Sequence, residues 1–224
     1  MLYLFDIDGT LVDTGGAGMA SLKEATREVF GHEGPALDIA GSTDLGLVAN
    51  IHAHFEVEAT RDSIAAYFET YLRRLDWNLT YGGFPGRVLH GVAGLLAALA
   101  ERPDATLGLL TGNIAGGAAL KMQHFGLADH FAFGAYGCDH ADRNQLGPLA
   151  LQRAAIHTGK NHTAANTWII GDTPKDIACA HAIGARCLAV ATGEFSVAQL
   201  ANHQADRVVS SLDEALEWLA SDTA

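Results

Sequence analysis

Basic residues are scarce in this chain: 14 Lys and Arg stand against 26 Asp and Glu, leaving a formal net charge of -12. Nucleic acids and anionic membranes are held by clustered cations, so neither is expected as a partner. Cysteine is also sparse. Cys138, Cys179 and Cys187 are odd in number, widely spaced and without a Cys-x-x-Cys pair, which argues against a disulfide framework or a zinc ribbon and predicts a reducing, cytoplasmic setting. Long apolar runs are missing too: the longest, near Gly91 to Ala100, is too short to cross a bilayer. The opening Met1-Leu2-Tyr3-Leu4-Phe5 has no basic flank and is interrupted by Asp6, so it is not expected to act as a signal peptide. The 224 residues suffice for one large domain, or for a core with a small insert.

What stands out is the N-terminus, where the apolar run Leu2 to Phe5 breaks into Asp6-Ile7-Asp8-Gly9-Thr10. It reads as a buried strand carrying two carboxylates to its C-terminal tip. In an open parallel sheet that tip is where ligands bind. Gly9 permits a sharp turn, so both acids are able to face one bound group.

After Thr14 the pattern turns helical. Ala17 to Phe30, roughly Asp44 to Phe55, and Arg61 to Leu75 carry apolar residues at spacings of three and four. Gly31 to Pro35 and Tyr81 to Gly86 read as loops. From Gly91 helices alternate with strands: helix to Ala100, strand Ala105 to Leu110, helix Ala115 to Phe125, and a short strand near Ala132 to Ala135. There follow helix Pro148 to Thr158, strand Thr167 to Ile170, helix Asp176 to Ile183, strand Arg186 to Val190 and a last helix near Leu212 to Leu219. This alternation implies an α/β fold with a doubly wound, Rossmann-like parallel sheet. Residues 1–14 and 85–224 are expected to form that core, and residues 15–84 an inserted α-helical domain.

Two further strand ends carry polar groups. Leu109-Leu110-Thr111-Gly112-Asn113 runs from a strand into a turn and a helix, and Thr111 reads either as a phosphate-binding hydroxyl or as a helix cap. Ile169-Ile170-Gly171-Asp172-Thr173-Pro174-Lys175-Asp176 is again an apolar strand with acids at its tip. There Asp176 also suits the first turn of a helix.

Taken in order, these motifs resemble those of the haloacid dehalogenase superfamily, whose first motif is the Asp-x-Asp-Gly-Thr of Asp6 to Thr10. The likeness extends over nearly the whole chain and is greatest to the phosphoglycolate phosphatase and β-phosphoglucomutase branch, in which an α-helical cap follows the first motif. The resemblance implies a phosphatase for a small phosphorylated metabolite, working as a monomer or homodimer. Asp6 is then the nucleophile that forms an aspartyl-phosphate, and Asp8 the acid and base. Mg²⁺ is implied as cofactor, held by the Asp6 carboxylate, the Asp8 carbonyl and the Asp172 carboxylate, with Asp176 bound directly or through water. Gly9, Thr10, Thr111, Gly112 and Asn113 would surround the phosphate. Gly41-Ser42-Thr43-Asp44 resembles a cap segment of that branch and marks Thr43 and Asp44 as substrate-binding candidates.

The third motif departs from the family pattern. Relatives carry a lysine there, and aligning Pro148-x-x-Leu151 puts Gln145 in its place. Arg143, two residues earlier, is the leading substitute because its guanidinium stays charged, with Lys175 second. The competing reading pairs Arg143 with Asp139 and Asp142 at the surface. The missing lysine keeps open a catalytically weak, phosphate-ligand-binding relative, and a phosphomutase is the rival among enzymes. A phosphonate hydrolase needs an insert lysine, and only Lys23 is present.

Other features have simpler readings. His52 and His54, two apart on a helix, point to different faces and do not share a metal. Gly15-Gly16-Ala17-Gly18 lacks the ending of a nucleotide loop and is expected to be a hinge. Tyr67, Phe68, Tyr71 and Trp77 are expected to pack as core.

Overall fold

Leu2–Phe5 forms a strand, β1, whose four residues are all buried. Side chains alternate along a strand, so Tyr3 and Phe5 enter one apolar cluster and Leu2 and Leu4 another. Each buried side chain of this size contributes about 1.5–3 kcal/mol. The unbroken apolar run thus reflects cover on both faces of the sheet.

The computed structural model describes residues 1–221. After β1 come β2 (Val12–Asp13) and the helices α1 (Ala17–Phe30), α2 (Asp44–His54) and α3 (Arg61–Tyr81). Then follow β3 (Arg87–Val88), α4 (Val92–Ala100), β4 (Thr106–Leu110), α5 (Ala115–His124) and β5 (Gly134–Ala135). The chain continues through α6 (Leu146–Thr158), β6 (Thr167–Gly171), α7 (Pro174–Ile183), β7 (Arg186–Val190), α8 (Val197–Ala201), β8 (Arg207–Val209) and α9 (Leu212–Ser221). Six strands make one parallel sheet in the order β5-β4-β1-β6-β7-β8. Helices α4 and α9 cover one face, and α6 and α7 the other. The fold is α/β and doubly wound. β1 lies between β4 and β6, so the loops after three adjacent strands open side by side.

Helices α1 to α3 gather around a third apolar cluster, with Leu22, Val48, Ile51, Tyr67, Tyr71 and Leu75 inside it. The chain enters and leaves this helical segment as a two-stranded antiparallel ribbon, β2 with β3, closed by Asp13 and Arg87 at 3.1 Å.

Several elements differ from the sequence expectation. α3 continues past Leu75 to Tyr81 because its buried phase persists: Asn78 follows Tyr71 and Leu75 inward and donates to Ser21 Oγ and Glu24 Oε2, both at 3.1 Å. Trp77 falls off that phase. It is 58% exposed and packs at a tilt against Tyr81, not in the core expected for it. α6 begins at Leu146, preceded by a 3-10 turn over Arg143–Gln145, and α7 begins at Pro174. The short elements β2, β3, α8 and β8 were not expected, being too brief to show a period. Among the described residues no helix is long and apolar enough to cross a membrane.

Candidate active site

Parallel pairing aligns the ends of β1, β4 and β6, and with them Asp6, Thr111 and Asp172. The Asp6 amide donates to Ile170 O at 2.9 Å, which ties the first tip to the third. Gly9 turns the chain with φ +78, and a Cβ there would lie 2.3 Å from Asp172 Oδ2, so only glycine fits against that carboxylate. Thr10 Oγ1 donates to Asp172 Oδ1 at 2.9 Å and orients that carboxylate.

Asp6, Asp172 and Asp176 are buried and present carboxylate oxygens that lie within 4.8 Å of one another. Burial pushes the Asp6 carboxyl up to about 6 against the pull of Arg143, and the charges of Asp176 and Asp8 add to the rise. Burial, then the neighbouring Asp176 and Asp6, push Asp172 up to about 8, while the Thr10 hydrogen bond opposes. Crowded carboxylates of this kind call for positive charge. An all-oxygen donor set of this size suits a hard divalent cation.

One positive charge is built in. Arg143 is 5% exposed, bonds to Asp176 Oδ1 and lies 3.3 Å from Asp6 Oδ2. The same guanidinium donates to Leu110 O at 3.4 Å and to Gly41 O at 3.3 Å. Its pairing with the two carboxylates holds its proton more tightly than usual despite burial. The surface reading of Arg143 does not hold: Asp139 pairs with Arg153, at 2.5 Å, and Asp142 caps the turn that carries Arg143. Lys175 points outward to Asp38 and Ser42 and does not reach the acids.

Asp176 serves two purposes. Its Oδ2 accepts from the Thr173 amide at 3.0 Å and hydroxyl at 2.7 Å, closing a capping box on α7, while Oδ1 meets Arg143. Thr111 is fully buried, and its hydroxyl oxygen accepts from Asn113 Nδ2 at 2.9 Å.

The Asp8 carboxylate lines the same space but is not one of the three clustered acids. Lys121 Nζ lies 2.8 Å and 2.6 Å from its two oxygens, and Asn113 Nδ2 donates to it at 2.7 Å. Lys121 also donates to Asn113 Oδ1 at 2.6 Å, which closes a three-residue network. The sequence reading did not single out Lys121. Its signal is a lysine beside Ala118 and Met122 on the buried phase of α5, where a charged side chain needs a partner.

Thr43 and Asp44 reach the site region, yet their side chains are committed to holding the 36–44 loop down. Thr43 Oγ1 donates to Ala141 O at 2.6 Å and caps α2, and Asp44 Oδ2 accepts the Ile114 amide at 2.8 Å at the start of α5. The approach is close: a Cβ on Gly112 would lie 1.9 Å from Ser42 O. Of the two histidines, His52 is buried with Nδ1 2.8 Å from Val48 O, while His54 is exposed.

Asp6, Asp8, Thr111, Asn113, Lys121, Arg143 and Asp172 line a cavity of about 430 Å³ between the strand tips and the helical segment. A larger groove of about 730 Å³ runs outside the 36–44 loop, but it contains none of Asp6, Asp8 or Asp172, so the reactive groups belong to the smaller space.

Residues 145–215 match a family model described as HAD-hydrolase-like. Over 223 residues the chain is 28% identical to a phosphoglycolate phosphatase from Neisseria gonorrhoeae, covering 96% of this chain and 91% of the relative. Its fold matches a crystal structure described as "a predicted phosphatase" from Clostridium acetobutylicum, with TM-score 0.71, 21% identity and 98% of each chain covered. It also matches a structure described as "a predicted phosphoglycolate phosphatase" from Haemophilus somnus, with TM-score 0.70, 20% identity and 97% of each chain covered.

Proposed function

We propose, for a chain that belongs to the haloacid dehalogenase superfamily, a Mg²⁺-dependent phosphatase that hydrolyses a small phosphorylated metabolite through an aspartyl-phosphate. The reading is carried by one observation: Asp6, at the tip of the central strand, shares a 4.8 Å cluster with Asp172 and Asp176 and lines the cavity beneath the helical segment. Mg²⁺ would be held by these three carboxylates and the Asp8 carbonyl, and when bound it would screen the charge of the incoming phosphate.

In the first half-reaction an Asp6 oxygen attacks phosphorus, the ester P–O bond breaks, and the leaving oxygen takes a proton from Asp8. In the second, Asp8 takes a proton from water as the water oxygen attacks phosphorus. The bond to Asp6 then breaks, and inorganic phosphate leaves. Thr111 and the amides of Gly112 and Asn113, with Gly9 and Thr10, form the phosphate surroundings. Arg143 offsets the repulsion between Asp6 and the phosphate, and Lys121 with Asn113 keeps the Asp8 carboxylate turned to the cavity. On this reading Arg143 supplies the cation whose absence at position 145 kept a catalytically weak relative open as an alternative.

The helices between residues 15 and 84 act as a cap over residues 1–14 and 85–224, with β2 and β3 and the Gly15-Gly16 turn as the hinge. Thr43 and Asp44 seat the cap against the core.

Phosphate release from p-nitrophenyl phosphate and a panel of alkyl phosphates tests the proposal, with Mg²⁺ and with EDTA. Turnover that needs Mg²⁺ and disappears in Asp6→Asn is expected. Equal turnover in Asp6→Asn, or none from any ester with Mg²⁺ present, would overturn it.

A further inference from the structure

The cavity has two chemically different ends. Asp6, Asp172, Thr111 and Arg143 form the end assigned above to phosphate, whereas Met19, Leu22, Ile39 and Leu47 from α1, α2 and the loop between them form an apolar roof. The alcohol portion of an ester bound at Asp6 faces that roof.

We infer that the substrate is a phosphate monoester whose alcohol portion is uncharged and presents an aliphatic face, and that a carboxylate or a second phosphate on that portion is selected against. This rests on the phosphatase reading of the same site. Two cations line the cavity among the described residues, and neither is free for a second anion: Arg143 is paired with Asp6 and Asp176, and Lys121 with Asp8. The helical segment contributes none. Arg27 is held by Glu33, and Arg73 and Arg74 by Glu28, while Lys23 and Arg61 are exposed, and none of the five lines the cavity. Asp13, Asp44 and Glu194 line the same space, so an added anion on the alcohol would enter among like charges. Aliphatic groups instead gain from leaving water against Met19, Leu22 and Leu47.

The test is a matched pair, 2-phosphoglycolate against its neutral carboxamide, which differ in one charge and little in shape, with p-nitrophenyl phosphate as a reporter of phosphatase chemistry. The expected result is kcat/KM higher for the carboxamide by at least about tenfold, with n-propyl phosphate also preferred to the acid. Met19→Lys, at a half-buried helical position that accepts a long side chain, is expected to narrow or reverse the ratio. Equal or better use of 2-phosphoglycolate by the unaltered protein overturns the inference while leaving the phosphatase reading intact. Failure to hydrolyse p-nitrophenyl phosphate with Mg²⁺ present, together with every other ester, removes both.

Discussion

Lys121 Nζ sits 2.6 Å from Asp8 Oδ2, joining the last turn of α5 to the loop after β1 across 113 residues of sequence. The ammonium is almost wholly buried and Asp8 is its anionic partner, so the pair fixes the direction of a carboxylate that would otherwise rotate. Lys121→Met is expected to slow alkyl phosphates, whose leaving oxygen needs a proton, by about tenfold or more. p-Nitrophenyl phosphate, with a stable leaving anion, should change far less. Steady-state rates for the two ester types in the variant check this; an equal loss on both would point to a merely structural lysine.

Arg143 is expected to matter for folding as well as activity. Removing one partner of a buried ion pair leaves the other charge uncompensated, at a cost of about 3–5 kcal/mol. Arg143→Met should therefore lower the denaturation midpoint strongly, because Asp6, Asp172 and Asp176 then face one another without a cation. Added Mg²⁺ should recover part of the loss. Denaturant titrations with and without the metal measure both effects.

Metal binding should be linked to pH. Asp6 and Asp172, pushed up to about 6 and about 8, hold protons that a cation must displace. Both raised groups make the metal-free fold lose stability as pH rises from the unfolded value of 3.8 up to those values, while the metal-bound fold escapes that loss. The increase in Tm caused by Mg²⁺ is thus expected to grow as pH rises from 3.8, through Asp6 up to about 6 and through Asp172 up to about 8, and to level off above that. Thermal unfolding across that range, with and without Mg²⁺, reads the difference.

Asp44 offers a titration away from the metal cluster. Burial pushes its carboxyl from 3.8 up to about 6, against Lys121 and the Ile114 amide. Below about pH 4 it is neutral in both folded and unfolded chains. Between 3.8 and 6 the folded chain keeps a proton that the unfolded chain has lost, so this group's contribution falls as pH rises and is gone above 6. Asp44→Asn retains an oxygen to accept the Ile114 amide and should remove that part of the slope. Asp44→Ala leaves the amide without its acceptor and should be less stable by about 1 kcal/mol. Urea titrations of the three proteins from pH 4 to pH 7, taken as differences, decide the matter.

Local patterns made much of this molecule legible. The apolar run of β1 announces a strand covered on both faces, and Asp6, Thr111 and Asp172 each follow such a run, which identifies them as strand-tip groups. Periods of three and four mark α1 to α3 because each helix buries one stripe. The end of α3 and the exposure of Trp77 were misread, since a single aromatic at near-helical spacing does not reveal on which side of the stripe it falls. The short strands β2, β3 and β8 are held by pairing with distant segments, and nothing within two or three residues records that.

Residue order was enough to place the acids at strand ends, because a strand's burial and the turn after it depend on neighbours a few positions away. Which ends stand together came from the sheet order β4-β1-β6, a property of pairing across long separations. The partner of each charge has the same origin. Arg143 could be read as a surface residue or a site residue until packing placed it between Asp6 and Asp176, and Lys121 carried no mark of its role until α5 folded back over Asp8. Charges interact through space over a few ångströms, so their chemistry is settled by the distances that folding creates.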